Sequence, residues 1–107
     1  MRRVVLSLNI ENRNTTKNQL IKILKNDLPV LRARTGLSQE AIADRIGISR
    51  QTYSSIENSK REMTWTTFLA LLAFFQNNEK TSQMLKQVEG FLSGVEKILH
   101  DVKKEGE

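Results

Sequence analysis

An all-α fold is predicted for this chain of 107 residues, and three observations predict it. Apolar residues recur at intervals of three and four from Leu20 to Val102, which lays a stripe along one side of a helix. Residues able to cap a helix, Ser38, Ser49 and Thr64, stand just ahead of such stretches, where a side-chain oxygen can accept from unpaired N–H groups of the first turn. Gly36 and Gly47 then close two of the stretches in the left-handed conformation that ends helices.

The front of the chain is the exception. In residues 3–10 the alternation of Val4, Leu6, Leu8 and Ile10 is that of a half-buried strand, yet no second strand follows. It is read as a strand-like N-terminal arm that pairs with another copy, docks on the helices or stays extended. A polar linker, Glu11 to Thr16, leads to Lys17, from which Leu20, Ile23, Leu24, Leu28 and Leu31 have helical spacing. Pro29 is expected to interrupt that helix and to open a new one capped by Asn26 or Asp27, since proline is best tolerated in a first turn.

Residues 38–58, SQEAIADRIGISRQTYSSIEN, read as a helix, a tight glycine turn and a second helix. Ile42, Ile46, Ile48, Tyr53 and Ile56 form the buried side, and Ala43 is small where the two helices must approach closely. Arg50, Gln51 and Ser54, with Ser55 one turn on, then face outward. Such side chains suit base edges: arginine bonds bidentately to guanine, glutamine to adenine, and serine to several partners. Tyr53 is expected in the core with its hydroxyl free to reach a phosphate. Trp65, Phe68, Leu69, Leu72 and Phe75 form a further core helix capped by Thr64, and a long amphipathic helix is expected from Thr81 to Lys103. Leu85, Val88, Leu92, Val95, Leu99 and Val102 recur along it as a heptad seam, widened by Met84, Phe91 and Ile98. That seam is expected to be a dimer interface, as opposed to a helix folded back on its own domain.

Composition limits the function classes. The length fits one core, and 38% hydrophobic with 27% charged residues is ordinary globular usage. There is no cysteine, hence no disulfide, thiolate metal site or cysteine nucleophile, and the lone His100 gives no metal site. No nucleophile with a base, glycine-rich phosphate loop, signal peptide or membrane span is read, so the expectation is a cytoplasmic protein that is not an enzyme and needs no cofactor. The net charge of +5 favours a polyanionic partner. Its positive side chains gather at the front: Arg2, Arg3, Arg13, Lys17, Lys22 and Lys25 face only Glu11 there.

The run GLSQEAIADRIGISRQTYSSIENSKR resembles the Cro and phage-repressor family of helix-turn-helix regulators, also called the XRE family. The resemblance extends roughly from Leu28 to Leu85. It implies a five-helix repressor-like bundle whose third helix enters the major groove of double-stranded DNA. Arg50, Gln51, Ser54 and Ser55 would then contact bases, and Gln39, Tyr53, Asn58, Lys60 and Arg61 would contact phosphates. Arg32 and Glu57 would form a structural ion pair between the first and third helices. The arm and the extended C-terminal amphipathic helix lie outside the family pattern, giving an expected division into an arm at 1–19, a DNA-binding domain at 20–80 and a dimerisation helix with polar tail at 81–107. The reading that follows is a transcriptional regulator, a homodimeric repressor of a palindromic operator. The alternative is an antitoxin that binds a protein toxin and represses its own operon, and a pure protein-interaction module is the third class.

Overall fold

A computed structural model describes residues 15–100 of the protein. They form six helices: α1 Lys17–Thr35, α2 Gln39–Ile46, α3 Arg50–Glu57, α4 Trp65–Gln76, α5 Ser82–Lys86 and α6 Phe91–His100. No strand occurs among the described residues, and the expected arm at 3–10 lies outside them.

A capping box starts α1: the Thr16 hydroxyl accepts from the Gln19 N–H at 3.2 Å, and the Thr16 N–H donates to the Gln19 side chain at 2.8 Å. The helix then runs unbroken through Pro29 to its cap at Gly36, which corrects the expectation of two helices meeting at Asn26 or Asp27. Proline in a helix interior costs about 3 kcal/mol. On the same helix Leu20, Leu24, Leu28 and Leu31 are all buried, and each contributes about 1.5–3 kcal/mol. Packing on both sides of the proline therefore outweighs the missing hydrogen bond.

Ser38, Ser49 and Thr64 each accept from the N–H three residues on, as N-caps of α2, α3 and α4. The core they frame is built around α1. Its leucines meet Ile42 and Ala43 of α2, Tyr53 and Ile56 of α3, Met63, and Phe68, Leu71, Leu72 and Phe75 of α4. Trp65 and Leu69 are partly buried against it, with Trp65 stacked on Phe68 at 4.7 Å between ring centres.

The C-terminal part departs most from expectation. There is no single helix from Thr81 to Lys103: α5 ends at Lys86 and α6 begins at Phe91, with Gly90 at φ +83° between them. A glycine adopts that left-handed conformation with little strain, so the chain can change direction there. The Thr81 hydroxyl, buried, donates back to the Phe75 carbonyl at 2.7 Å and closes the end of α4. As a result Leu85, Val88, Phe91 and Val95 all enter the same core as α1, and Phe91 meets Phe68 edge to face at 6.0 Å. The expected seam is thereby corrected: Leu85, Val88 and Val95 are used inside the chain and are closed to a partner. Leu92 is partly buried against the core, Leu99 is 50% exposed, and Val102 lies outside the described residues.

Candidate nucleic-acid interface

The turn between α2 and α3 is set by Gly47 at φ +84°, whose N–H and that of Ile48 both bond the Ala43 carbonyl, at 2.9 and 3.0 Å. Adding a β-carbon to Gly47 would meet nothing within 4 Å, so the demand for glycine comes from the backbone angle alone. The chain restarts immediately at Ser49, which accepts from Thr52 N–H at 3.0 Å and fixes the first turn of α3.

Burial of Tyr53 and Ile56 then dictates what the rest of α3 shows. Arg50 and Gln51 are exposed, and Ser54 and Ser55 are half-buried beside them. Beyond the helix Asn58, Lys60 and Arg61 are exposed. Asn58 donates to the Ser54 hydroxyl at 3.4 Å, while the N–H groups of Lys60 and Arg61 turn back to the Ser55 carbonyl at 2.8 and 3.2 Å. These five exposed side chains and the two half-buried serines thus sit on one short helix and the turn that leaves it.

What holds α3 at its angle is Glu57. This carboxylate is only 6% exposed and accepts from three helices: Arg32 of α1 through Nε at 3.2 Å and Nη2 at 3.3 Å, Gln39 of α2 at 2.5 Å, and the Tyr53 hydroxyl at 3.2 Å. Hydrogen bonding to Glu57 raises the affinity of the Arg32 guanidinium for its proton, against the opposing effect of desolvation. Burial pushes the Tyr53 hydroxyl well above its ordinary range, and the negative charge of Glu57 adds to that.

Two expectations change here. Tyr53 is fully buried with its hydroxyl on Glu57, so it is a member of this network and does not reach a phosphate. Gln39 faces Glu57 with its amide nitrogen, because a carboxylate can only accept, which leaves one amide hydrogen for an outside acceptor. The joint capture of Gln39 and Tyr53 by Glu57 was missed by sequence reasoning. The spacing of Tyr53 and Glu57, four apart on one helix face, was an available signal; the approach of Gln39 from another helix was not. Also unforeseen is a bond from the Lys25 ammonium of α1 to the Ser59 hydroxyl, across 34 residues of sequence.

Two short helices joined by a glycine turn, the second with a polar outer face and a locked inner one, constitute a helix-turn-helix. Residues 28–77 match the family model described as a helix-turn-helix domain. The match starts inside α1 and ends at the cap of α4, so α5 and α6 lie beyond it. No curated protein and no solved structure matches the chain. Among the described residues no cluster of histidine, cysteine or carboxylate side chains could hold a metal, and no helix is long and apolar enough to cross a membrane.

Proposed function

We propose that the protein is a cytoplasmic transcriptional repressor that binds double-stranded DNA sequence-specifically, with α3 in the major groove. Arg50 and Gln51 read base edges by bidentate hydrogen bonds, and Ser54 and Ser55 permit or add close contacts. Gln39, Asn58, Lys60 and Arg61 bond phosphates on either side and set the register. The observation that carries the reading is the two-sidedness of α3: its inner face is buried and tied through Glu57 to α1 and α2, while Arg50 and Gln51 stand exposed on its first turn.

The repressor acts as a homodimer on an inverted repeat, and its contact falls where the core leaves α6 open, around Leu92 and the half-exposed Leu99. Two copies related by a two-fold axis would present their α3 helices about 34–36 Å apart, one turn of the duplex. Selection of bound duplexes from a random pool by the purified full chain tests this. An enriched inverted repeat is the expected result. An absence of enrichment overturns the reading, and stoichiometric binding of a co-expressed toxin in its place would favour the antitoxin.

A further inference from the structure

We infer that the outward face of α4, with the groove between it and the end of α2, is a docking surface for residues 4–10 of the same chain. The inference goes beyond the reading of α3 and does not depend on it.

A helix on the surface of a protein ordinarily turns a polar face to water. The helix α4 does not: its sequence, WTTFLALLAFFQ, carries no charged residue. Phe68, Leu71, Leu72 and Phe75 face the core, and the side opposite them still shows Leu69, Ala70 and Ala73, flanked by Phe74. Leu69, Ala70 and Phe74 are half-buried there, and Ala73 is exposed. Ile46 at the end of α2 forms the other wall of a groove of about 440 Å³, which Arg45 and Asn77 also line. The two alanines leave that groove open between the larger Ile46 and Phe74.

The occupant follows from where the chain enters α1. Its first residue, Lys17, holds its ammonium 5.4 Å from the centre of the Trp65 ring, so the chain arrives beside the start of α4. Fourteen residues precede Thr15. Among them Val4, Leu6, Leu8 and Ile10 share one side of an extended chain, with Val5, Ser7 and Asn9 on the other. From Val4 to Ile10 such a segment covers about 20 Å. The 12 residues of α4 span about 18 Å, so the two lengths match. Residues 11–15 bridge at most about 18 Å, enough to set Ile10 near Leu69 and to let Val4 reach the groove. Apolar side meets apolar side, Ser7 and Asn9 are left to water, and the tether to α1 makes the encounter intramolecular.

The chain has no cysteine, so a single thiol placed in the groove reports on its cover without background. Ala73→Cys, at an exposed position, is made in the full chain and in a full chain that also carries Leu6→Ser with Leu8→Ser. Glu96→Cys, exposed on α6, is the control in both backgrounds, and circular dichroism checks the helices of every variant. Alkylation of the groove thiol by iodoacetamide should be at least about tenfold slower with Leu6 and Leu8 in place, as for a group that reacts only when its cover opens. That protection should not change with protein concentration, and the control should react at one rate in both backgrounds. Trp65, the sole tryptophan, gives a second reading without any introduced thiol: acrylamide should quench it more strongly in the Leu6→Ser, Leu8→Ser chain than in the parent. Equal alkylation rates in the two backgrounds, together with equal quenching of Trp65, leave the face uncovered and overturn the inference. Protection that is lost on dilution assigns the face to a second copy and overturns it as well.

Discussion

Glu57 receives four hydrogen bonds from Arg32, Gln39 and Tyr53 while almost wholly out of water, and the cost of disturbing it follows from that. Deleting one member of a buried pair leaves the others desolvated and unpaired, which costs about 3–5 kcal/mol. Glu57→Ala should fall near the lower end, since Arg32 is 29% exposed and can recover water. Chemical denaturation measures the difference, and a loss below about 1 kcal/mol would mean that the carboxylate does not organise the three helices. Tyr53 gives a second reading of the same centre. Its hydroxyl holds its proton more tightly when folded than the ordinary value of 10.0, so the unfolded chain ionises first. Stability from this group is full below pH 10 and declines as pH rises beyond it towards the raised folded value. Tyr53 is the sole tyrosine, so tyrosinate absorbance reports on it alone. Tyrosinate should appear together with loss of helical circular dichroism. A titration centred on 10.0 in a protein that stays helical would contradict the burial described.

Among the elements, the caps and the central pair of helices were legible in the sequence because their causes are local. Ser38, Ser49 and Thr64 bond N–H groups three residues away, and Gly47 answers a single backbone angle. Pro29 and the C-terminal stripe were misread for the opposite reason. Whether α1 survives its proline, and whether Leu85 to Val95 face a partner or their own domain, depends on residues distant in sequence, Phe68 among them. Heptad spacing fixes which side chains share a face and is silent on what covers that face. Two substitutions on α6 separate its roles. Phe91→Ala should cost about 3–5 kcal/mol of stability, the range for emptying a buried aromatic site. Leu99→Asp, on a half-exposed side chain, should change stability by no more than about 0.5 kcal/mol, and if the proposed homodimer pairs through α6 it should be monomeric by light scattering where the parent is dimeric. If Leu99→Asp stays dimeric, the pairing surface lies elsewhere. If Phe91→Ala is as stable as the parent, α6 is not part of the core.

On the scale of the whole molecule, one core from Leu20 to Val95 among the described residues holds α3 on its surface, and the outward face of that helix is the remainder left by burial. The exposed place of Arg50 and Gln51 on the first turn of α3 was legible from the Ser49 cap, and the Arg32–Glu57 pair from the family resemblance. The Lys25 to Ser59 bond was invisible in the sequence because nothing local links residues on α1 and on the turn after α3. The account as a whole stands on α3 reading bases, and affinity measured for Arg50→Ala and Gln51→Ala on selected and random duplexes tests it most directly. Each variant should lose about 1–3 kcal/mol on the selected duplex, relax preference at one base pair, and bind the random duplex much as the parent does. Equal losses on both duplexes would make these side chains phosphate contacts and contradict the account.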